Sequence, residues 1–109
     1  MIYEVEVSEQ ADRDLREILE YIAFELQSPE NAIGQLDRLE EQILSLDAMP
    51  KRYRKYEKEP WKSRELHILP VDNYVILYIP NSDKKVVTIL RVMYAGRDID
   101  NQLNFHTKQ

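Results

Sequence analysis

Apolar residues recur at three- and four-residue intervals through the first half of the chain and in short, nearly continuous runs through the second, so helices should come first and strands afterwards. The exception is the start, residues 2–7, a short β-favouring stretch in which Val5 and Val7 share a face under period-two alternation. Ser8 then offers a side-chain cap. Ala11, Leu15, Ile18, Leu19, Ile22, Ala23 and Leu26 follow as the apolar stripe of an amphipathic helix, with Glu9, Asp12 and Asp14 in its first turns, where the helix dipole favours them. Ser28-Pro29 is a second start signal, a capping residue before a proline at the first helical position. It predicts a helix from about 29 to 47 with the stripe Ala32, Ile33, Leu36, Leu39, Ile43 and Leu46. With two or three residues between them, the two helices must form an antiparallel hairpin. Gly34 costs about 1 kcal/mol relative to alanine inside a helix and is read as allowing close packing against the first helix.

Pro50 closes the helical half and a loop follows. Three strand-like runs come next, Arg64–Leu69, Tyr74–Ile79 and Val86–Tyr94, joined by the turns Val71-Asp72-Asn73 and Asn81-Ser82-Asp83-Lys84, which argues an antiparallel meander. YVILYI is apolar on both faces and should be a central, doubly buried strand. In the last run, alternation puts Val87, Ile89, Arg91 and Met93 on one face and Val86, Thr88, Leu90, Val92 and Tyr94 on the other. The expectation is an α+β domain of order β-α-α-β-β-β, a helical hairpin packed on a small, twisted, mainly antiparallel four-stranded sheet. It should occupy residues 1–103, with 104–109 a polar, frayed tail.

With 109 residues, 43% hydrophobic and 32% charged, one globular domain is the natural size, and general disorder is excluded. Cysteine is absent and there are two histidines, His67 and His106, which excludes disulfide scaffolds, thiol nucleophiles and cysteine- or histidine-rich metal sites. No metal and no cofactor is expected. The opening residues show no basic segment followed by an apolar core, and nothing approaches the roughly 20 apolar residues of a membrane span, so a cytoplasmic protein beginning near Met1 is expected. The net charge of −5 hides an asymmetry: residues 1–50 carry −10, residues 51–67 carry +4 and residues 68–109 carry +1. The net charge argues against a dedicated nucleic-acid binder, yet leaves room for a local contact through the basic island at 51–67.

No phosphate-binding glycine loop, metalloprotease helix or nucleophile elbow occurs. Candidate chemistry gathers instead around the last strand, RVMYAGRD, with Arg64 and His67 upstream. Arg91 falls among apolar neighbours and suits either a structural salt bridge or a functional cation. Arg97 leaves the strand through Gly96, where sites tend to be assembled; an ion pair with Asp98 or a helix is the alternative. His67 reads as a buried structural histidine or a general base, and Tyr94 as a rim tyrosine or an acid. Tyr53, Tyr56 and Trp61, interleaved with the island's cations, suit base stacking, an interface or the edge of a core.

The element order, the segment SEQADRDLREILEYI, the central PVDNYVILYI and the closing TILRVMYAGRD resemble the RelE/ParE superfamily, toxins of bacterial type II toxin–antitoxin systems, also called plasmid stabilisation proteins. The resemblance covers nearly all of residues 1–103. It implies a growth-inhibiting toxin neutralised by a cognate antitoxin, encoded by an adjacent gene, whose C-terminal segment wraps the toxin surface. ParE-like members poison DNA gyrase, and RelE-like members are metal-independent endoribonucleases that cut mRNA on the ribosome. Against the nuclease branch, Val75 stands where an arginine is usual, and Ile99–Leu103 holds neither tyrosine nor histidine, with Phe105 and His106 farther out; Glu59 in KEPW has a faint counterpart in a neighbouring branch's general base. The ParE-like reading is therefore preferred. If the chain is a nuclease, the resemblance puts Arg97, Arg91, Tyr94 and His67 in the catalytic set. Tyr53, Tyr56, Trp61 and Arg64 are the expected contacts to antitoxin or target. A homodimer and a non-toxic antitoxin-binding module of the same fold are the further readings.

Overall fold

The computed structural model describes residues 2–107. Strand β1, Glu4–Val7, leads into helix α1, Glu9–Glu20, whose cap forms as the sequence implies: the Ser8 hydroxyl oxygen accepts the Ala11 N–H at 3.0 Å. Helix α2, Pro29–Leu44, returns antiparallel and ends in a 3₁₀ turn at Ser45–Asp47. Strands β2, His67–Val71, β3, Tyr74–Asn81, and β4, Val86–Tyr94, form the meander, followed by a helix α3, Ile99–His106. The sheet order is β1-β4-β3-β2, with β1 parallel to β4 and the other neighbours antiparallel. YVILYI lies in β3 with a strand on each side.

Each face of the sheet buries a separate core. The hairpin covers one face, packing Ala11, Leu15, Leu39, Ile43 and Leu46 against Ile76, Tyr78, Val87, Ile89 and Val92. The other face is covered by the basic loop and α3, through Trp61, Leu66 and Leu103 on Ile68, Val75, Leu77, Leu90 and Met93. The basic island straddles the sheet: Arg52 and Tyr53 sit beside the end of the acidic hairpin, and Tyr56, Trp61 and Leu66 lie on the opposite face. Among the described residues no helix is long and apolar enough to cross a membrane.

Five expectations need correction. Residues 104–107 are not frayed: α3 runs to His106, its Leu103 is fully buried, and the Thr107 hydroxyl donates to the Gln102 carbonyl at 2.8 Å. Residues 108 and 109 lie outside the described residues. The first of the three predicted runs, Arg64–Leu69, starts instead at His67, since residues 61–65 form turns over the sheet. Strict alternation fails in β4, because the partner on β4 passes from Arg91, opposite Leu77, to Ile89, opposite Tyr78. Leu90 is therefore an extra, bulged residue, and Val87, Ile89 and Val92 face the hairpin while Leu90 and Met93 face α3. Leu26 and Ile33 leave the core, at 57% and 59% exposure. After Glu20 the helix widens into a π turn, Tyr21–Glu25, closed by the Leu26 N–H on the Tyr21 carbonyl, and the wider turn rotates Leu26 outward. Finally, a Cβ on Gly34 would meet only the Arg38 guanidinium, at 3.4 Å, so helix–helix packing does not require glycine there.

Candidate functional site

The end of β1 explains how Arg91 is used. β1 stops at Val7, opposite Ile89, so the edge of β4 beyond that point has no strand beside it. Side chains take its place. The Ser8 hydroxyl donates to the Leu90 carbonyl at 2.9 Å, and the Asp14 carboxylate accepts the Val92 N–H at 3.0 Å. Asp14 also receives a two-pronged grip from Arg91, Nε to Oδ2 at 2.7 Å and Nη2 to Oδ1 at 3.0 Å. The remaining Arg91 nitrogen, Nη1, reaches past the strand to the His106 carbonyl at 3.2 Å and the Thr107 hydroxyl at 3.0 Å. A guanidinium suits this task because its planar fork matches a carboxylate and leaves a donor over. Both side chains are buried, at 6% and 10% exposure. Arg91 joins α1, β4 and α3 and is withdrawn from solvent.

His67 is likewise enclosed. It is 2% exposed, its ring lies 5.4 Å from that of Tyr78, and Nδ1 is 2.9 Å from the Glu65 carbonyl oxygen. These contacts hold the ring inside the fold. Tyr78 donates to the Pro50 carbonyl at 2.6 Å, and burial pushes its hydroxyl pKa up.

Arg97 and Tyr94 do come together, on a cleft of about 470 Å³ between the tip of the hairpin and the ends of β3 and β4. Glu17, Tyr21 and Leu26 line it from the hairpin side; Tyr74, Tyr94 and Arg97 line it from the sheet side. The Tyr74 and Tyr94 rings meet edge to face at 6.0 Å. Burial, then the nearby Tyr21 and Tyr94 hydroxyls, raise the Tyr74 pKa, so the Tyr74 phenol stays protonated and acts as a hydrogen-bonding group. Gly96 sets this rim: a Cβ there would lie 2.4 Å from Tyr94 Cε2, so only glycine lets the ring lie against the turn. Arg97 is exposed and has no carboxylate partner among the described residues. Around the cleft, Tyr21, Leu26 and Tyr94 are each more than half exposed. Tyr21 was not among the residues expected at a site; its position beside the apolar stripe of α1 is the sequence signal that points to it.

The island's aromatic residues are placed differently from the expected exposed anchors. Trp61 is 2% exposed, with its indole N–H donating to Asn104 Oδ1 at 2.9 Å and the Arg64 guanidinium 5.0 Å from its ring centre. It is a core residue of the α3 face, because that face needs a large side chain to fill the space under the loop. Tyr56 is half-buried and donates to Asp100, and burial followed by that bond raises its pKa. Tyr53 is half-buried with the Arg52 guanidinium 4.6 Å from its ring centre. Arg64 remains exposed. Among the described residues, no cluster of three or more histidine or acidic side chains could hold a metal ion.

Comparison with known proteins follows the same lines. A family profile described as the ParE toxin of type II toxin–antitoxin system, parDE, matches residues 5–99. No curated protein matches the chain by sequence. Among solved structures, the chromosomal ParDE system of P. aeruginosa superposes with a TM-score of 0.71 at 18% identity, covering 85% of this chain and 96% of that one. The RelBE2 toxin–antitoxin complex of Mycobacterium tuberculosis gives 0.64 at 22% identity, covering 86% and 99%. A free-state mutant of the E. coli toxin RelE gives 0.65 at 16% identity, covering 91% and 90%.

Proposed function

Because the chain belongs to the ParE toxin family of type II toxin–antitoxin systems, we propose that it arrests growth by binding DNA gyrase, and that a cognate antitoxin neutralises it by covering the cleft at Arg97. The observation that carries a binding action over RNA cleavage is the dispersal of the candidate catalytic set. Attack by a 2′-hydroxyl needs a base, an acid and cations converging on one phosphate. Arg91 is instead clamped on Asp14, and His67 is enclosed beneath Glu65 and Tyr78. What reaches solvent is Arg97 beside Tyr94, Tyr21 and Leu26, a mixture of arginine, tyrosine and aliphatic surface of the kind that anchors protein interfaces. That such complexes form on this fold is supported by the ParDE and RelBE2 structures it resembles. Gyrase and antitoxin are cytoplasmic, and so is the proposed site of action.

The test is to titrate the purified chain into a gyrase supercoiling reaction and, in parallel, into ribosomes programmed with mRNA. Loss of supercoiling with trapped, cleaved DNA is expected, and Arg97→Ala should weaken the inhibition by 10-fold or more, the loss typical of an interface anchor. Codon-linked mRNA cuts with supercoiling unimpaired would overturn the proposal. Antitoxin binding with neither effect would make the chain a binding module.

A further inference from the structure

The loop at residues 51–66 is a defined surface. It lies along the outer edge of β2, held by the Lys55–His67 bridge, by the Ile68 N–H on the Arg54 carbonyl and by the Tyr56 N–H on the Leu66 carbonyl. Three of its basic side chains are engaged: Lys55 pairs with Glu65, Lys58 with Asp100, and Arg52 donates to the carbonyls of Ser45, Ala48 and Met49. Arg54, Lys62 and Arg64 are exposed and meet no carboxylate among the described residues. Lys51 is exposed as well and touches Glu65 only through its longer-range field. Among the described residues, Glu57 and Glu59 are the acids of the loop without a lysine or arginine partner, and Ser63 donates to Glu59.

We infer that this surface is a sequence-independent contact for the phosphate backbone of a nucleic-acid duplex, made by Lys51, Arg54, Lys62 and Arg64. Two features choose the ligand. None of the strongly exposed large apolar residues falls within 51–66, and a protein interface without apolar anchors has little to hold it, whereas phosphate contacts need only cations. The aromatic rings that would stack unpaired bases are occupied: Trp61 is buried under Arg64, Tyr53 lies beneath Arg52, and Tyr56 is tied to Asp100. Single strands depend on such stacking platforms, whereas a duplex presents its phosphates outward and needs none. The net charge of −5 does not prevent the contact, since the part of the loop around Trp61 and Leu66, with Lys62 and Arg64, lies across the sheet from the acidic hairpin, a layer spacing of about 10 Å, which is one Debye length at 0.1 M salt. This inference is independent of the gyrase reading, because it concerns a different surface and a direct contact.

Fluorescence anisotropy of labelled 20-mers with the purified chain tests it. Four neutralised phosphates at about 0.9 each predict that duplex affinity falls roughly 10²-fold between 50 and 200 mM salt. The combined variant Lys51→Gln, Arg54→Gln, Lys62→Gln, Arg64→Gln should lose this dependence and most of the binding, while its melting temperature stays at the wild-type value. Arg13→Gln, on the hairpin, should bind as wild type. Matched DNA and RNA duplexes identify the source of the phosphates, and binding of either supports the inference. No duplex binding at 50 mM salt, tighter binding of the single strand, or polyglutamate bound as tightly as the duplex would overturn it.

Discussion

Replacing Asp14 with alanine removes at once the carboxylate that holds Arg91 and the acceptor of the Val92 N–H. Breaking a buried ion pair from one side costs about 3–5 kcal/mol, because the surviving charge stays buried and unpaired. An orphaned buried N–H costs about 1–3 kcal/mol. The two losses share one side chain and do not add fully, so a total of about 4 kcal/mol is expected, a large part of the roughly 5–15 kcal/mol by which domains are stable. At about 4–8 °C per kcal/mol, the melting temperature should fall by about 15–30 °C. Asp14→Asn, which keeps an acceptor, should lose less. The double variant Asp14→Leu with Arg91→Met should recover most of the stability, since apolar replacements of a buried pair are often neutral or better. Urea unfolding of the two single variants and the double gives the coupling, and toxicity is read on each variant that remains folded. The structural reading of Arg91 fails if Arg91→Ala unfolds at the wild-type urea concentration yet has lost toxicity.

Trp61→Ala should cost about 3–5 kcal/mol in urea unfolding, as for a large core side chain, while antitoxin affinity per folded molecule measured by calorimetry is unchanged. Gly96→Ala should drive the Tyr94 ring from its place and reduce toxicity with the melting temperature little changed; full toxicity would remove the Tyr94 rim from the site. Gly34→Ala should stabilise the chain by about 1 kcal/mol, seen as a higher urea midpoint, because a helix-favouring methyl group enters where nothing blocks it. The hydrogen bonds from Lys58 and then Tyr56 hold the Asp100 carboxyl below its ordinary value. A group depressed in the folded state stabilises above its unfolded pKa and loses that effect as pH falls through the folded one. Protection of the α3 amides, exchange taken relative to the intrinsic rate at each pH, should therefore be high at neutral pH and fall below about pH 4, a fall that Asp100→Asn lacks.

The sequence by itself determined the element order, the helical hairpin, the intact span of β4 and the doubly flanked β3, because periodicity and caps are local: Ser8 caps α1 with its own neighbour, and YVILYI is apolar wherever it packs. It also exposed the charge asymmetry, which needs only counting. Tertiary structure decided the rest. The bulge at Leu90 and the clamp on Arg91 depend on where β1 stops, a contact between residues more than seventy positions apart. The order of residues 104–107 depends on Trp61, Arg91 and Gln10 reaching them from elsewhere in the chain. The same cause separates the candidate residues. Arg97 and Arg91 are six positions apart and look equally available in sequence, yet one turns outward beside Tyr94 and the other meets the carboxylate that satisfies an unpaired strand edge. Whether a charge is buried is settled by its partner, and that partner lies too far along the chain for any local pattern to reveal.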